Sequence, residues 1–163
     1  ILDLIRISHT DVIEDLAFHD LSVLRIVFGK PPAVRSVRRI HILDPALCDT
    51  AFIELDLNGI PVHIGYSWSL PDRRRQLLLY NDEEFLLFDD LRREKKIEIY
   101  RLATKKSSFP DYGNVEPLRG VVEHFYTCIE EGREPLTGKD FMLDVMRVLE
   151  QIRKFDGEGG PSD

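Results

Sequence analysis

Asp15 and His19 are the two residues of this sequence best placed to move a proton together. They stand four apart in a segment where Ile13, Leu16, Ala17, Leu21, Leu24 and Phe28 recur at helical spacing. Both therefore project from one face, which Asp11 and Ser22 share, opposite the apolar stripe. A carboxylate one turn from an imidazole orients the ring and stabilises its protonated form. That is what a general acid/base needs to handle the hydroxyl proton in an alcohol–ketone interconversion. The same spacing also suits a solvated helix face, so the pair alone does not decide between the two readings.

The elements around the pair are legible. Asp11 is a suitable N-cap with Glu14 three residues on, as in a capping box, and Gly29 followed by Pro31-Pro32 ends the helix. Before it, residues 2–8 read as a strand. After it the apolar period changes to two. Residues 34–42 and 49–57 are expected strands, and Ala51, Ile53, Leu55 and Leu57 share one face. Asn58-Gly59 is the preferred pair of a two-residue type I′ hairpin turn, because both positions need positive φ. Ile60, Val62, Ile64, Tyr66 and Trp68 continue the apolar face on the return strand.

Residues 73–80 and 85–89 read as a second hairpin around Asn81-Asp82, and 96–102 as one more strand. Leu77-Leu78-Leu79 and Phe85-Leu86-Leu87-Phe88 do not alternate, so both faces of that sheet are expected to be covered, one by helices and the other by a second copy. Two helices follow. The first starts at Pro117, carries Val121, Val122, Phe125, Cys128 and Ile129 as its buried stripe, and stops at Gly132. The second starts with Thr137 and Asp140 as a capping-box pair and buries Phe141, Val145, Val148, Leu149 and Ile152. The expected fold class is α+β, a large, mostly antiparallel open sheet with helices packed on one face.

Composition narrows the function class. The 163 residues are 43% apolar and 31% charged, ordinary for one globular domain. A formal charge of −7, from 22 basic and 29 acidic residues, argues against a general nucleic-acid partner. The clusters Arg38-Arg39, Arg73-Arg74-Arg75 and Arg92-Arg93 read as solvated strand ends. No apolar run reaches the length of a membrane span, and no signal peptide is present. Cys48 and Cys128 form no CxxC pair and read as reduced core thiols of a cytoplasmic protein. His9, His41, His63 and His124 have no metal-ligand spacing, so no metal is expected. Asp20 reads as structural, pairing with Arg25 or a neighbouring strand. Trp68 reads as core packing, and Arg75 and Tyr80 are available to a site without being selected for one. The chain opens on Ile1 rather than methionine, which is read as a start inside a longer polypeptide.

A wider resemblance gives the pair its weight. Asp11-Val-Ile-Glu-Asp-Leu-Ala-Phe-His-Asp-Leu-Ser-Val-Leu-Arg25, with Gly29-Lys-Pro-Pro after it, closely resembles the D-x-x-x-H-D segment of the Gfo/Idh/MocA oxidoreductases. Asp49-Thr-Ala-Phe-Ile-Glu-Leu-Asp-Leu-Asn-Gly59 and Ser67-Trp68 resemble that family's central hairpin. Glu116-Pro-Leu-Arg, Glu123-His-Phe, Ile129-Glu-Glu-Gly-Arg-Glu-Pro-Leu-Thr137 and Val145-Met-Arg-Val-Leu-Glu150 resemble its closing helices. The matches are collinear and cover nearly the whole chain.

The resemblance implies the C-terminal partner of a Rossmann domain that binds NAD or NADP. Residues 1–156 would be its substrate-binding and oligomerisation domain, and 157–163 a flexible tail. The parent protein would transfer hydride at a hydroxyl carbon of a sugar, cyclitol or nucleotide sugar. The motif places His19 as acid/base, with Asp15 orienting it or touching substrate. The Rossmann domain's Gly-x-Gly-x-x-Gly and Glu-Lys-Pro motifs are not in this sequence, so the chain alone is expected to be inactive and no cofactor residue is assigned. Phe18 stands where the family often has proline or a small residue, and the link from Ser8 to Asp11 is shorter than in many relatives. The alternative is a non-catalytic dimerisation or ligand-binding module. Both readings predict self-association through the open sheet face.

Overall fold

A computed structural model describes residues 10–113 and 116–155. The strand expected at 2–8, His9 and the tail at 157–163 lie outside the described residues. In chain order the elements are α1 (Val12–Phe28), β1 (Ala33–Ile40), β2 (Thr50–Leu57), β3 (Ile60–Ser67), β4 (Gln76–Tyr80), β5 (Glu84–Asp89), β6 (Ile97–Arg101), β7 (Lys106–Ser108), α2 (Pro117–Glu131) and α3 (Lys139–Lys154). The class is α+β, and each strand pair among the described residues is antiparallel. Hydrogen bonding groups the strands as β1-β2-β3 and β4-β5-β6-β7. Pro71, which has no N–H to give a ladder, lies within the stretch 68–75 between them. The chain gathers into two compact units, Ile1–Leu70 with Gly132–Asp163, and Pro71–Glu131.

The first unit holds the core. Leu57 pairs with Ile60 across Asn58 and Gly59, whose φ values of 56° and 90° are those of the type I′ turn the sequence predicts. The pairing sets Ala51, Ile53, Leu55 and Leu57 on one sheet face, and all four are buried. Val12, Ile13, Ala17, Leu21 and Leu24 of α1 pack against that face, beside Phe141, Val145, Val148, Leu149 and Ile152 of α3. Each fully buried aliphatic side chain stabilises by about 1.5–3 kcal/mol, so these two helical stripes dominate the unit's stability. Trp68 packs against the same cluster, as expected of a core residue.

Three expectations about this unit are corrected. The first strand ends at Ile40 rather than residue 42, because the Asp49 carboxylate takes the N–H groups of Ile42 and Leu43, each at 2.6 Å. Helix α3 is not capped by Thr137. Gly138 is the N-cap residue, and the Glu134 side chain accepts from Lys139 N at 2.8 Å in place of a capping hydroxyl. Arg39 is no strand-end solvator. Its guanidinium donates to the carbonyls of Ile152, Arg153 and Phe155, satisfying the end of α3.

The second unit has little core of its own. Opposed residues of an antiparallel pair share a face. The register therefore puts Leu77, Leu79, Leu86, Phe88, Ile97 and Ile99 on one side, and Leu78, Tyr80, Phe85, Leu87 and Tyr100 on the other. No residue of these four strands is fully buried. The three-residue β7 was invisible to a search for apolar alternation, since it reads Lys-Ser-Ser. The expected buried stripe of α2 is corrected too: Cys128 is buried, but Val121 is 65% and Phe125 57% exposed. Periodicity shows which residues share a helix face, not what covers them.

Candidate active site

Helix α1 presents the pair, and its ends are firmly held. Asp11 Oδ1 accepts from Glu14 N at 2.9 Å, and Val12 N donates to the Cys48 carbonyl at 2.9 Å, tying the first turn to the β1–β2 loop. Glu14 and Asp15 in the first turn complement the helix dipole. At the other end Gly29 takes φ 71°, and its N–H returns to Arg25 O at 3.0 Å. Arg25 donates to Gly29 O at 2.7 Å and to Asp144 of α3 at 2.9 Å, while Glu14 meets Arg153 at 3.2 Å.

With the apolar stripe turned to the sheet, Asp15 and His19 are both exposed on the outer side. No hydrogen bond or ion pair joins them. The His19 ring instead meets the edge of Phe18, centroids 6.1 Å apart at 78°. Phe18 thus packs partly against the core and partly beside the imidazole. Ser22 does not join the outward stripe as a donor to solvent. Its hydroxyl bonds back to the Phe18 carbonyl at 2.7 Å. Asp20 does not pair with Arg25, which is engaged by Asp144. Burial first, and then the charge of Asp20, push the pKa of the Tyr66 phenol on β3 upward.

The other residues weighed in the sequence lie elsewhere. Arg75 pairs with Asp90 at 3.5 Å, and Tyr80 stacks on Phe85 at 5.9 Å. His63 approaches Glu54 at 3.7 Å, and His41 is exposed. An open groove lined by Arg25, Ile26, Gly29, Leu136 and Phe141 sits at the far end of α1, and a second is lined by Val34, Arg147, Gln151 and Phe155. Neither includes Asp15 or His19. Among the described residues no cluster of three His, Cys, Asp or Glu side chains is arranged for a metal, and no helix is long and apolar enough to cross a membrane.

Sequence reasoning missed a buried polar knot beside α1. Asp49 is 1% exposed, and Thr50 donates to it at 3.0 Å. Thr50, Ser67 and Ser69 bring their hydroxyls within 2.8–3.1 Å of one another. Burial alone would raise the Asp49 pKa, but the N–H groups of Leu43 and Ile42 and the Thr50 hydroxyl outweigh it and hold the carboxyl below its ordinary value. The signal was the run of polar residues at the strand ends, which alternation treats as mere turn chemistry.

The described residues do not fit a dinucleotide. Phosphate cradles sit where a parallel strand runs through a glycine turn into a helix N-terminus, and here each ladder is antiparallel. The helix N-termini are also unsuited to an anion. Asp11, Glu14 and Asp15 crowd that of α1, Glu116 precedes Pro117 of α2, and Glu134 occupies the first N–H of α3.

No family model matches the sequence, and no curated protein matches it. Solved structures do. UDP-N-acetylglucosamine 3-dehydrogenase from Acidithiobacillus ferrooxidans superposes with a TM-score of 0.75 at 20% identity, over 89% of this chain and 46% of that one. Aldose-aldose oxidoreductase from Caulobacter crescentus, complexed with glycerol, gives 0.75 at 16%, over 93% and 47%. The chain has the fold of a Gfo/Idh/MocA C-terminal domain. An oxidoreductase from Agrobacterium radiobacter, solved with NAD+, L-tartaric acid and magnesium, gives 0.69 at 17%, over 94% and 49%. The chain thus spans about half the length of the structures it matches.

Proposed function

We propose that this chain is the substrate-facing and oligomer-forming domain of an NAD(P)-dependent oxidoreductase, acting at a hydroxyl carbon of a sugar, cyclitol or nucleotide sugar. The observation that carries the proposal is the presentation of Asp15 and His19 on the outer face of a helix held at both ends, in a fold shared with sugar oxidoreductases. The chain's own contribution is the proton: His19 takes it from, or returns it to, the reacting hydroxyl, and Asp15 orients the imidazole or the substrate. The nicotinamide cofactor would be held by a dinucleotide-binding domain, as the resemblance to the Gfo/Idh/MocA oxidoreductases implies. The buried thiols of Cys48 and Cys128 suit a reducing, cytoplasmic setting.

The bare faces of the four-stranded sheet support self-association as the second role of the domain. They also support the rival reading, a dimerisation or ligand-binding module without catalysis. A panel of aldoses, cyclitols and nucleotide sugars, offered with NAD+ and NADP+ to the protein carrying a dinucleotide-binding domain, separates the two. The dehydrogenase reading expects substrate-dependent nicotinamide reduction with at least one of them. Tight sugar binding without any turnover supports the module.

A further inference from the structure

Between the end of α1 and the segment 134–141 that leads into α3 runs an open groove of about 390 Å³. Two large aliphatic side chains lie bare along it, Ile26 at 47% and Leu136 at 62% exposed. Apolar side chains that share one concave surface mark a place where a ligand gains by covering them. The polar lining carries both signs of charge. Asp140 and Glu134 bring carboxylates, and Glu134 is held in place by accepting from Lys139 N at 2.8 Å. Arg25 brings a guanidinium, fixed by Asp144 at 2.9 Å and the Gly29 carbonyl at 2.7 Å. It has more N–H donors than those two acceptors engage.

That mixture of charges selects a class of ligand. A diphosphate would meet the two carboxylates, and an ammonium ion would meet the guanidinium. A hydroxyl donates to the first and accepts from the second, while the apolar face of a sugar ring covers Ile26 and Leu136. The groove also lies in line with the candidate acid/base. Ile26 follows His19 by two helical turns, so it points within about 20° of the same direction, about 10 Å further along α1. One sugar ring does not span that distance, and two linked rings do. We propose that the groove is a second sugar subsite, holding the non-reacting ring of a neutral glycoside whose other ring meets His19. This rests on the assignment of His19 as the acid/base, although binding in the groove is a property of this chain alone.

The test is NMR of the 163-residue chain, following the Ile and Leu methyls and the His19 ring. Maltose, cellobiose, lactose and sucrose are titrated in turn, and then glucose and UDP-glucose. At least one disaccharide should shift the Ile26 and Leu136 methyls saturably in the millimolar range, and move the His19 ring with them. Glucose should bind more weakly, and UDP-glucose should leave the methyls unmoved. Asp140→Ala and Leu136→Ala, both at exposed positions, should each weaken the disaccharide about fivefold. The subsite is overturned if no disaccharide gives saturable shifts, if UDP-glucose binds the groove better than they do, or if both variants bind like the parent. Groove methyls that move while the His19 ring stays still would overturn the bridge between the two sites. A His19→Ala enzyme that keeps its turnover, beside a groove that binds as expected, would remove the catalytic reading alone.

Discussion

Arg25 on α1 and Asp144 on α3 meet at 2.9 Å, with 24% and 23% of their side chains exposed. The same guanidinium closes the end of α1 through Gly29 O and lies over the Phe141 ring, 5.7 Å from its centroid. Arg25 therefore joins two helices and a cap that lysine could not join together, because an ammonium lacks the planar fork. Replacing Arg25 with alanine leaves Asp144 half-buried beside one exposed partner, Arg147. Denaturant unfolding should show a loss of about 1–2 kcal/mol. Arg25→Lys should recover less than half of it.

Asp49 makes stability depend on acid. Its folded pKa lies below the ordinary carboxylate value, so its contribution is fully present above the unfolded pKa of about 4 and fades as pH falls toward the folded one. Asp49→Asn should flatten the stability profile below about pH 4 relative to the parent. Asp49→Ala strands the N–H groups of Ile42 and Leu43 and should cost about 2–3 kcal/mol at neutral pH. A profile unchanged by Asp49→Asn would show that other carboxylates carry the acid sensitivity.

Leu78 and Tyr80 are 52% and 68% exposed on the same face of the four-stranded sheet. If that face meets a second copy, Leu78→Glu with Tyr80→Glu should convert the assembly to monomers in light scattering, with little change in circular dichroism. An assembly that survives both charges does not use this face.

How far the sequence revealed these features depended on whether their causes are local. The Asn58-Gly59 turn, the Asp11 cap and the Gly29 stop each follow from the conformation or hydrogen bonding of one or two residues, and all three were legible. The stripe of α3 was legible because 3.6-residue spacing is intrinsic to a helix. Side-chain bonds to backbone across a loop, which follow no fixed spacing, were not. No spacing rule joins Asp49 to Leu43 six residues before it, and Thr137 fitted a capping box until Glu134 took the N–H it would have served. Tyr66 read as one more apolar position on β3, its hydroxyl uncounted. For the site, spacing put Asp15 and His19 on one face but could not say that no bond joins them and that the His19 ring lies against Phe18 instead.

The central claim is that His19 moves the substrate proton. The direct test is single-turnover and steady-state kinetics of His19→Ala in this chain joined to a dinucleotide-binding domain, with the substrate found by the panel. The account predicts that kcat falls by roughly two to four orders of magnitude, with cofactor affinity unchanged, because a positioned acid/base contributes on that scale. Turnover within a fewfold of the parent would contradict it and leave the exposed face of α1 as solvated surface.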